Sequence, residues 1–195
     1  MIPADVSTAA AQQFTPKVIQ MELRTAKRSD IPTLENLIEQ SGRALSIGYY
    51  SPEQADAITR HVFGVDTQLI DDQTYFAIEH GKRIVACGGW SKRRTLFGGD
   101  QVKTGADPLL DPAAEPARIR AFFVHPSMAR RGLGRQLMAA CVAASKQAGF
   151  SSLELVATMP GEPLYLASGF VVLERFDLDL PGGIQVPVSR MRMAI

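Results

Sequence analysis

The stretch from Arg118 to Gly149 constrains the fold more than any other part of the chain. Arg118–Val124 is a β-rich run that breaks at His125-Pro126. It is followed by a turn with two glycines and three arginines, Arg130-Arg131-Gly132-Leu133-Gly134-Arg135. Leu133, Leu137, Met138, Cys141 and Val142 then recur at a helical period up to Gly149, the expected C-terminal glycine. A strand running through a glycine turn into an amphipathic helix needs a sheet to pack on, so the chain is an α/β or α+β protein. Alternation in the strand predicts that Ile119, Ala121 and Phe123 share one face.

The flanking segments supply that sheet. Gln20–Arg24 alternates like a half-buried strand, and Ser29-Asp30-Ile31-Pro32 opens a helix bearing Ile31, Leu34, Leu37 and Ile38 on one face. Ser51-Pro52-Glu53-Gln54 is a capping box with proline at the first helical position, predicting a helix to about Val62. Thr74–Ile78 and Arg83–Cys87 flank a glycine turn and predict an antiparallel hairpin. Leu153–Ala157 predicts a central strand, Pro163–Ser168 a short helix, and Phe170–Asp177 and Val186–Met193 two strands joined through Pro181-Gly182-Gly183. From Lys92 to Pro116 glycine and proline dissolve the pattern, and a connection of that length inside a compact domain is expected to be functional.

Composition bounds the remainder. The chain has 195 residues, 46% of them hydrophobic, enough for a real core in one domain. We expect residues 1–17 to be a disordered N-terminal tail and 18–195 a single domain. The net charge of +1 gives no global pull toward nucleic acid or an anionic membrane, so neither partner is expected and any anion site is local. No run approaches the roughly 20 apolar residues of a membrane span, and Met1–Pro16 lacks the basic start of a signal peptide. Cys87 and Cys141 lie in apolar runs without metal-ligand spacing, which fits buried free thiols, a cytoplasmic location and no metal.

The glycine turn carries the chemistry. The first turn of a helix has N–H groups without internal partners and a partial positive charge. Glycines permit close backbone approach, and Arg130, Arg131 and Arg135 add full charge, so the turn reads as a pyrophosphate cradle. Two other phosphate motifs fail. The dinucleotide fingerprint needs a glycine where Leu137 stands, and the P-loop needs Gly-Lys-Ser/Thr where the chain has Gly134-Arg135-Gln136.

With Val124-His125-Pro126 ahead of Arg131-Gly132-Leu133-Gly134, and with Leu164-Tyr165-Leu166-Ala167-Ser168-Gly169-Phe170 further on, the chain resembles the GNAT superfamily of N-acetyltransferases. Ala129 stands at the leading basic or amide position of that family's phosphate loop, and Thr158 at a position where many members carry asparagine. The resemblance implies a mixed, mostly antiparallel central sheet flanked by helices. It implies acetyl-CoA as co-substrate, with its pyrophosphate on the N–H groups of Arg130, Arg131, Gly132, Leu133, Gly134 and Arg135. The pantetheine would pair with the edge of Phe122, Phe123 and Val124, the Val124 N–H would stabilise the oxyanion, and Thr158 would contact the cofactor. Tyr165 is the expected catalytic proton donor to the leaving thiolate.

The implied reaction is direct attack of a small-molecule or peptide amine in a ternary complex; a homodimer is also in keeping with the family. Glu115, His125, His61, Asp71 and Asp72 are candidate bases, and none is assigned. Tyr49, Tyr50, His61, Trp90, Phe97 and Lys92-Arg93-Arg94 are candidates to build the acceptor site. The rival reading from another class is a catalytically inactive acyl-CoA-binding sensor on the same fold. A nucleic-acid-binding domain using the arginines lacks both the charge and an aromatic stacking face.

Overall fold

The computed structural model describes residues 21–105 and 107–195; the expected tail at residues 1–17 lies outside them. The chain runs β1 (Met21–Thr25), α1 (Ile31–Leu45), α2 (Pro52–His61), α3 (Thr67–Asp71), β2 (Tyr75–His80), β3 (Arg83–Ser91) and β4 (Ala117–Val124). It continues through α4 (Leu133–Gln147), β5 (Ser152–Thr158), α5 (Glu162–Leu166), β6 (Val171–Leu180) and β7 (Ile184–Ala194). The strands form one seven-stranded sheet in the order β1-β2-β3-β4-β5-β7-β6. Only β4 and β5, joined through α4, are parallel; every other neighbouring pair is antiparallel. The mixed, mostly antiparallel sheet flanked by helices is therefore as the sequence implied.

Each face of the sheet buries its own helices. Leu133, Leu137, Met138 and Cys141 of α4 pack on the face bearing Ile78, Ala86, Ile119 and Leu155. Leu34, Leu37 and Ile38 of α1 pack on the opposite face with Tyr75, Ala77, Cys87 and Phe123. Helix α2 starts as its sequence requires: Ser51 Oγ accepts from the Gln54 N–H at 3.1 Å, and Gln54 accepts from the Ser51 N–H at 3.0 Å. At α1 the expected cap is absent, because Asp30 is drawn to Arg24 at 2.7 Å and to the Lys27 N–H instead. Both cysteines are free and buried. Among the described residues no helix is long and apolar enough to cross a membrane.

Two features of the sheet position the site, and both depart from simple alternation. Ala121 has φ of +53°, and the β3–β4 register slips between Cys87 and Gly89, so β4 carries a bulge. The extra residue reverses parity: Ile119 and Phe122 face α4, whereas Ala121 and Phe123 face α1. The expected common face of Ile119, Ala121 and Phe123 is thus corrected. Gly88 makes the bulge feasible, since a Cβ there would meet the Phe122 ring at 2.6 Å. The second feature is a split. β4 and β5 pair only at Ala117–Leu153 and Arg118–Glu154. From Ile119 onward, β4 has no strand partner on its β5 side among the described residues.

Strand β3 also runs four residues beyond its predicted end, through Gly88-Gly89-Trp90 to Ser91. The long connection after it is tied down rather than loose. Leu110 N–H donates to the Lys92 carbonyl at 2.8 Å and Arg94 N–H to that of Pro108 at 3.1 Å. Two of the three cations of Lys92-Arg93-Arg94 are closely paired, Arg93 with Asp72 at 2.6 Å and Arg94 with Glu115 at 2.9 Å.

Candidate active site

The turn between β4 and α4 has the features expected of an anion cradle. Gly132 is the N-cap of α4, with φ of +85° and no side chain capping the helix. Among the described residues the N–H groups of Leu133, Gly134 and Arg135 find no acceptor; the first intrahelical bond is Gln136 N–H to the Gly132 carbonyl, at 3.0 Å. Arg130 adopts φ of +63°, a left-handed conformation that costs a non-glycine residue about 1–2 kcal/mol. Arg130, Arg131 and Arg135 are exposed and meet no carboxylate within 4.0 Å among the described residues. Free N–H donors and exposed guanidiniums therefore share one turn.

The two glycines of this turn do different jobs. A Cβ on Gly132 would meet nothing, so its backbone angle is what requires glycine. A Cβ on Gly134 would meet Leu164 Cδ2 at 2.8 Å, so Gly134 serves the close approach of α4 to α5. Gly134 thus has a packing role beside the ligand approach that the sequence suggests.

A cleft of about 540 Å³ opens beside this turn. It is lined by Arg130, Gly132, Leu133, Gly134 and Arg135, then by Phe122, Phe123 and Val124 along the unpaired stretch of β4, and finally by Thr158 and Tyr165. Of the predicted binding residues only Arg131 does not line it, pointing to solvent instead. Past Phe63, Phe122, Phe123, Thr158 and Tyr165 the cleft meets a second, smaller pocket of about 90 Å³, which those five residues also line.

Tyr165 stands at that junction. Its ring makes edge contacts with Phe122 and Phe170 at centroid distances of 6.1 and 5.8 Å, and its hydroxyl has no hydrogen-bond partner among the described residues. Burial, with a smaller contribution from Cys141, pushes its phenol further above its ordinary range, so it keeps its proton at neutral pH. The Val124 N–H, expected to be free for an oxyanion, donates to Ser41 Oγ at 3.2 Å. Ser41, buried on α1 and lining the cleft, carries no motif that sequence reading could use.

The candidate bases fall elsewhere. Glu115 pairs with Arg94, Asp71 with Arg28 and Asp72 with Arg93. His125 Nδ1 lies 2.9 Å from Ser127 Oγ, and neither it nor His61 lines either cavity. Of the acceptor-site candidates, Phe97 lines the small pocket and the exposed Tyr49 the large cleft. Trp90 is core, stacked edge-on to Phe150. Tyr50 is structural: its hydroxyl donates to the Pro187 carbonyl at 2.8 Å and accepts from the Met159 N–H at 2.9 Å, and burial pushes its pKa up to about 12.

Comparison with known proteins bears on the family and the fold. Residues 37–170 match the model of the Acetyltransferase (GNAT) family. A search of curated proteins finds no significant match. Among solved structures, a GCN5-related N-acetyltransferase from Rhodopseudomonas palustris superposes with a TM-score of 0.66 at 17% identity, covering 93% of this chain and 100% of that one. The PaiA N-acetyltransferase of Thermoplasma acidophilum, solved with coenzyme A, gives 0.60 at 13% identity over 90% and 99%. The ribosomal-protein-S18-alanine N-acetyltransferase of Escherichia coli gives 0.56 at 14% over 90% and 94%.

Proposed function

The chain belongs to the GNAT acetyltransferase family, and on that premise we propose that it moves the acetyl group of acetyl-CoA to a primary amine by direct attack in a ternary complex. The observation that carries this reading is the continuity of the cleft. It runs from the uncapped start of α4, along the unpaired edge of β4, to the hydroxyl-bearing wall at Tyr165.

The residues divide the work by their chemistry. The N–H groups of Leu133, Gly134 and Arg135, with the Arg130 and Arg135 guanidiniums, would hold the pyrophosphate through charge-assisted bonds. The unpaired β4 edge from Ile119 to Val124 would take the amide groups of the pantetheine as an added strand, and Thr158 would contact the same arm. The Val124 N–H, exchanging Ser41 Oγ for the thioester oxygen, would stabilise negative charge there.

As the amine nitrogen bonds to the acyl carbon, the C–S bond breaks and the sulfur takes the Tyr165 proton. The nitrogen sheds one proton, which returns to the phenolate through water. The sum is an amide and a free thiol.

Arg130→Ala combined with Arg135→Ala tests the cradle. Neither side chain touches another described residue through a salt bridge, so the melting temperature should stay close to the parent value. Affinity for acetyl-CoA measured by calorimetry should fall roughly tenfold or more, since bonds to charged groups contribute about 1.5–3 kcal/mol each before screening. Unchanged affinity would move the phosphates elsewhere.

One observation favours a sensor without turnover. No aspartate, glutamate or histidine lines either cavity among the described residues. Release of free thiol on adding a panel of amines separates the two readings directly.

A further inference from the structure

The small pocket beyond Tyr165 is assembled from parts far apart in the chain. Ile58 and Val62 come from α2 and its end, Leu96 and Phe97 from the long connection, Val156 from β5, and Leu178 and Val188 from β6 and β7. Most of its lining side chains are aliphatic or aromatic, with Arg120, Thr158 and Tyr165 the polar ones among the described residues. Among the described residues the one charged lining residue is Arg120, and its guanidinium is already spent. It bonds to the Thr95 carbonyl at 2.7 Å, to Asp66 at 2.9 Å and to the Gly98 carbonyl. Asp66, itself only 1% exposed, is further neutralised by Lys103. A cationic group entering here would find no carboxylate among the described residues to replace its water.

Volume sets a second limit. An apolar cavity of roughly 150 Å³ accommodates benzene, so about 90 Å³ suits a smaller group, such as a branched chain of about three or four carbons. The third limit is protonation. With no carboxylate or imidazole on either cavity wall among the described residues, the attacking amine arrives already uncharged. An α-amino group of pKa about 8 is roughly a quarter neutral at pH 7.5, whereas a side-chain amine near 10.4 is about 0.1% neutral.

We propose, resting on the transferase reading above, that this pocket selects the acceptor: a weakly basic α-amine whose carbon carries a small branched apolar group, with no second positive charge. The apolar group seats against Ile58, Phe97, Leu178 and Val188, which leaves the nitrogen at the Tyr165 junction where the two cavities meet.

The test uses the whole chain with acetyl-CoA and follows thiol release from L-valinamide, L-leucinamide, glycinamide, L-tryptophanamide and putrescine at pH 7.5. The kcat/KM for valinamide or leucinamide should exceed that for glycinamide and tryptophanamide by tenfold or more, and that for putrescine by a hundredfold or more. Their kcat/KM should also rise with pH to a plateau set by the amine's own pKa. In Leu178→Trp, which fills the pocket from a half-buried position, the advantage of leucinamide over glycinamide should shrink to about twofold. A flat series, or putrescine as the best acceptor, overturns the pocket assignment while leaving the transferase standing. If no amine releases thiol, the melting temperature of the coenzyme A-loaded protein decides. A rise with leucinamide but not putrescine upholds the pocket and removes the transferase; no rise with either removes the pocket assignment.

Discussion

Tyr165→Phe is expected to lower kcat for amine acetylation by roughly 10²–10⁴-fold, the range of a lost general acid, with acetyl-CoA affinity nearly unchanged. The substitution isolates the hydroxyl. The ring keeps its edge contacts with Phe122 and Phe170, so packing is retained. The hydroxyl has no hydrogen-bond partner among the described residues, so its removal orphans nothing, and the melting temperature should barely move. A phenol held protonated by burial can donate to a sulfur that becomes a thiolate, and a phenylalanine cannot. Parent-like turnover in this variant would leave Tyr165 as a core aromatic and nothing more.

Glu154→Ala is expected to destabilise the fold by about 3–5 kcal/mol, the usual cost of breaking a buried ion pair. For a domain of this size that is a fall in melting temperature of roughly 6–20 °C. Glu154 is fully buried on β5 and accepts from Arg118 at 2.9 Å, from Arg190 at 2.9 Å and from Arg192. It thereby fastens β4, β5 and β7 at the base of the split that opens the cleft.

Burial pushes its pKa up, but the hydrogen bonds from Arg192 and Arg190 and the charge of Arg118 outweigh that and hold it below its ordinary value. Its contribution is therefore complete above the unfolded pKa of about 4.3 and is lost as pH falls through the lower folded value. Glu162 behaves alike, held down chiefly by its hydrogen bond from Arg175. Thermal unfolding at pH 7 and near pH 3 checks both claims: the gap between parent and Glu154→Ala should be wide at pH 7 and narrow in acid. A difference below about 1 kcal/mol at pH 7 would mean that the three arginines are satisfied without it.

What the sequence made legible was local. The capping box at Ser51 and Gln54, the glycine turn opening α4 and the hairpin around Gly81 each follow from backbone preferences of a few neighbouring residues. The bulge was not legible, because alanine at position 121 has no preference for positive φ. Its cause lies across the sheet, in the space Gly88 leaves for Phe122. The extension of β3 past Cys87 is not legible because glycine has little strand preference, while in the sheet Gly88 and Gly89 admit the Phe122 ring and the Thr74 carbonyl. Helix α3 is only five residues long, too short to show a period.

The same division holds for the site. The glycine turn proposed to hold the pyrophosphate is contiguous in sequence, so it can be read there. The Ser41–Val124 bond spans 83 positions, and the apolar pocket draws on α2, β5, β6, β7 and the long connection, so only the assembled chain brings them together. The missing base has the same origin. Glu115, Asp71 and Asp72 look available in the sequence, and each is committed to an arginine once folded.

The most direct test of the account is a crystal structure of the protein with bound coenzyme A. We predict pyrophosphate oxygens about 3 Å from the N–H groups of Leu133, Gly134 and Arg135, with the pantetheine following β4 from its Val124 end and its thiol beside Tyr165. A ligand bound away from the start of α4, or that helix terminus covered by the protein's own side chains, would contradict it.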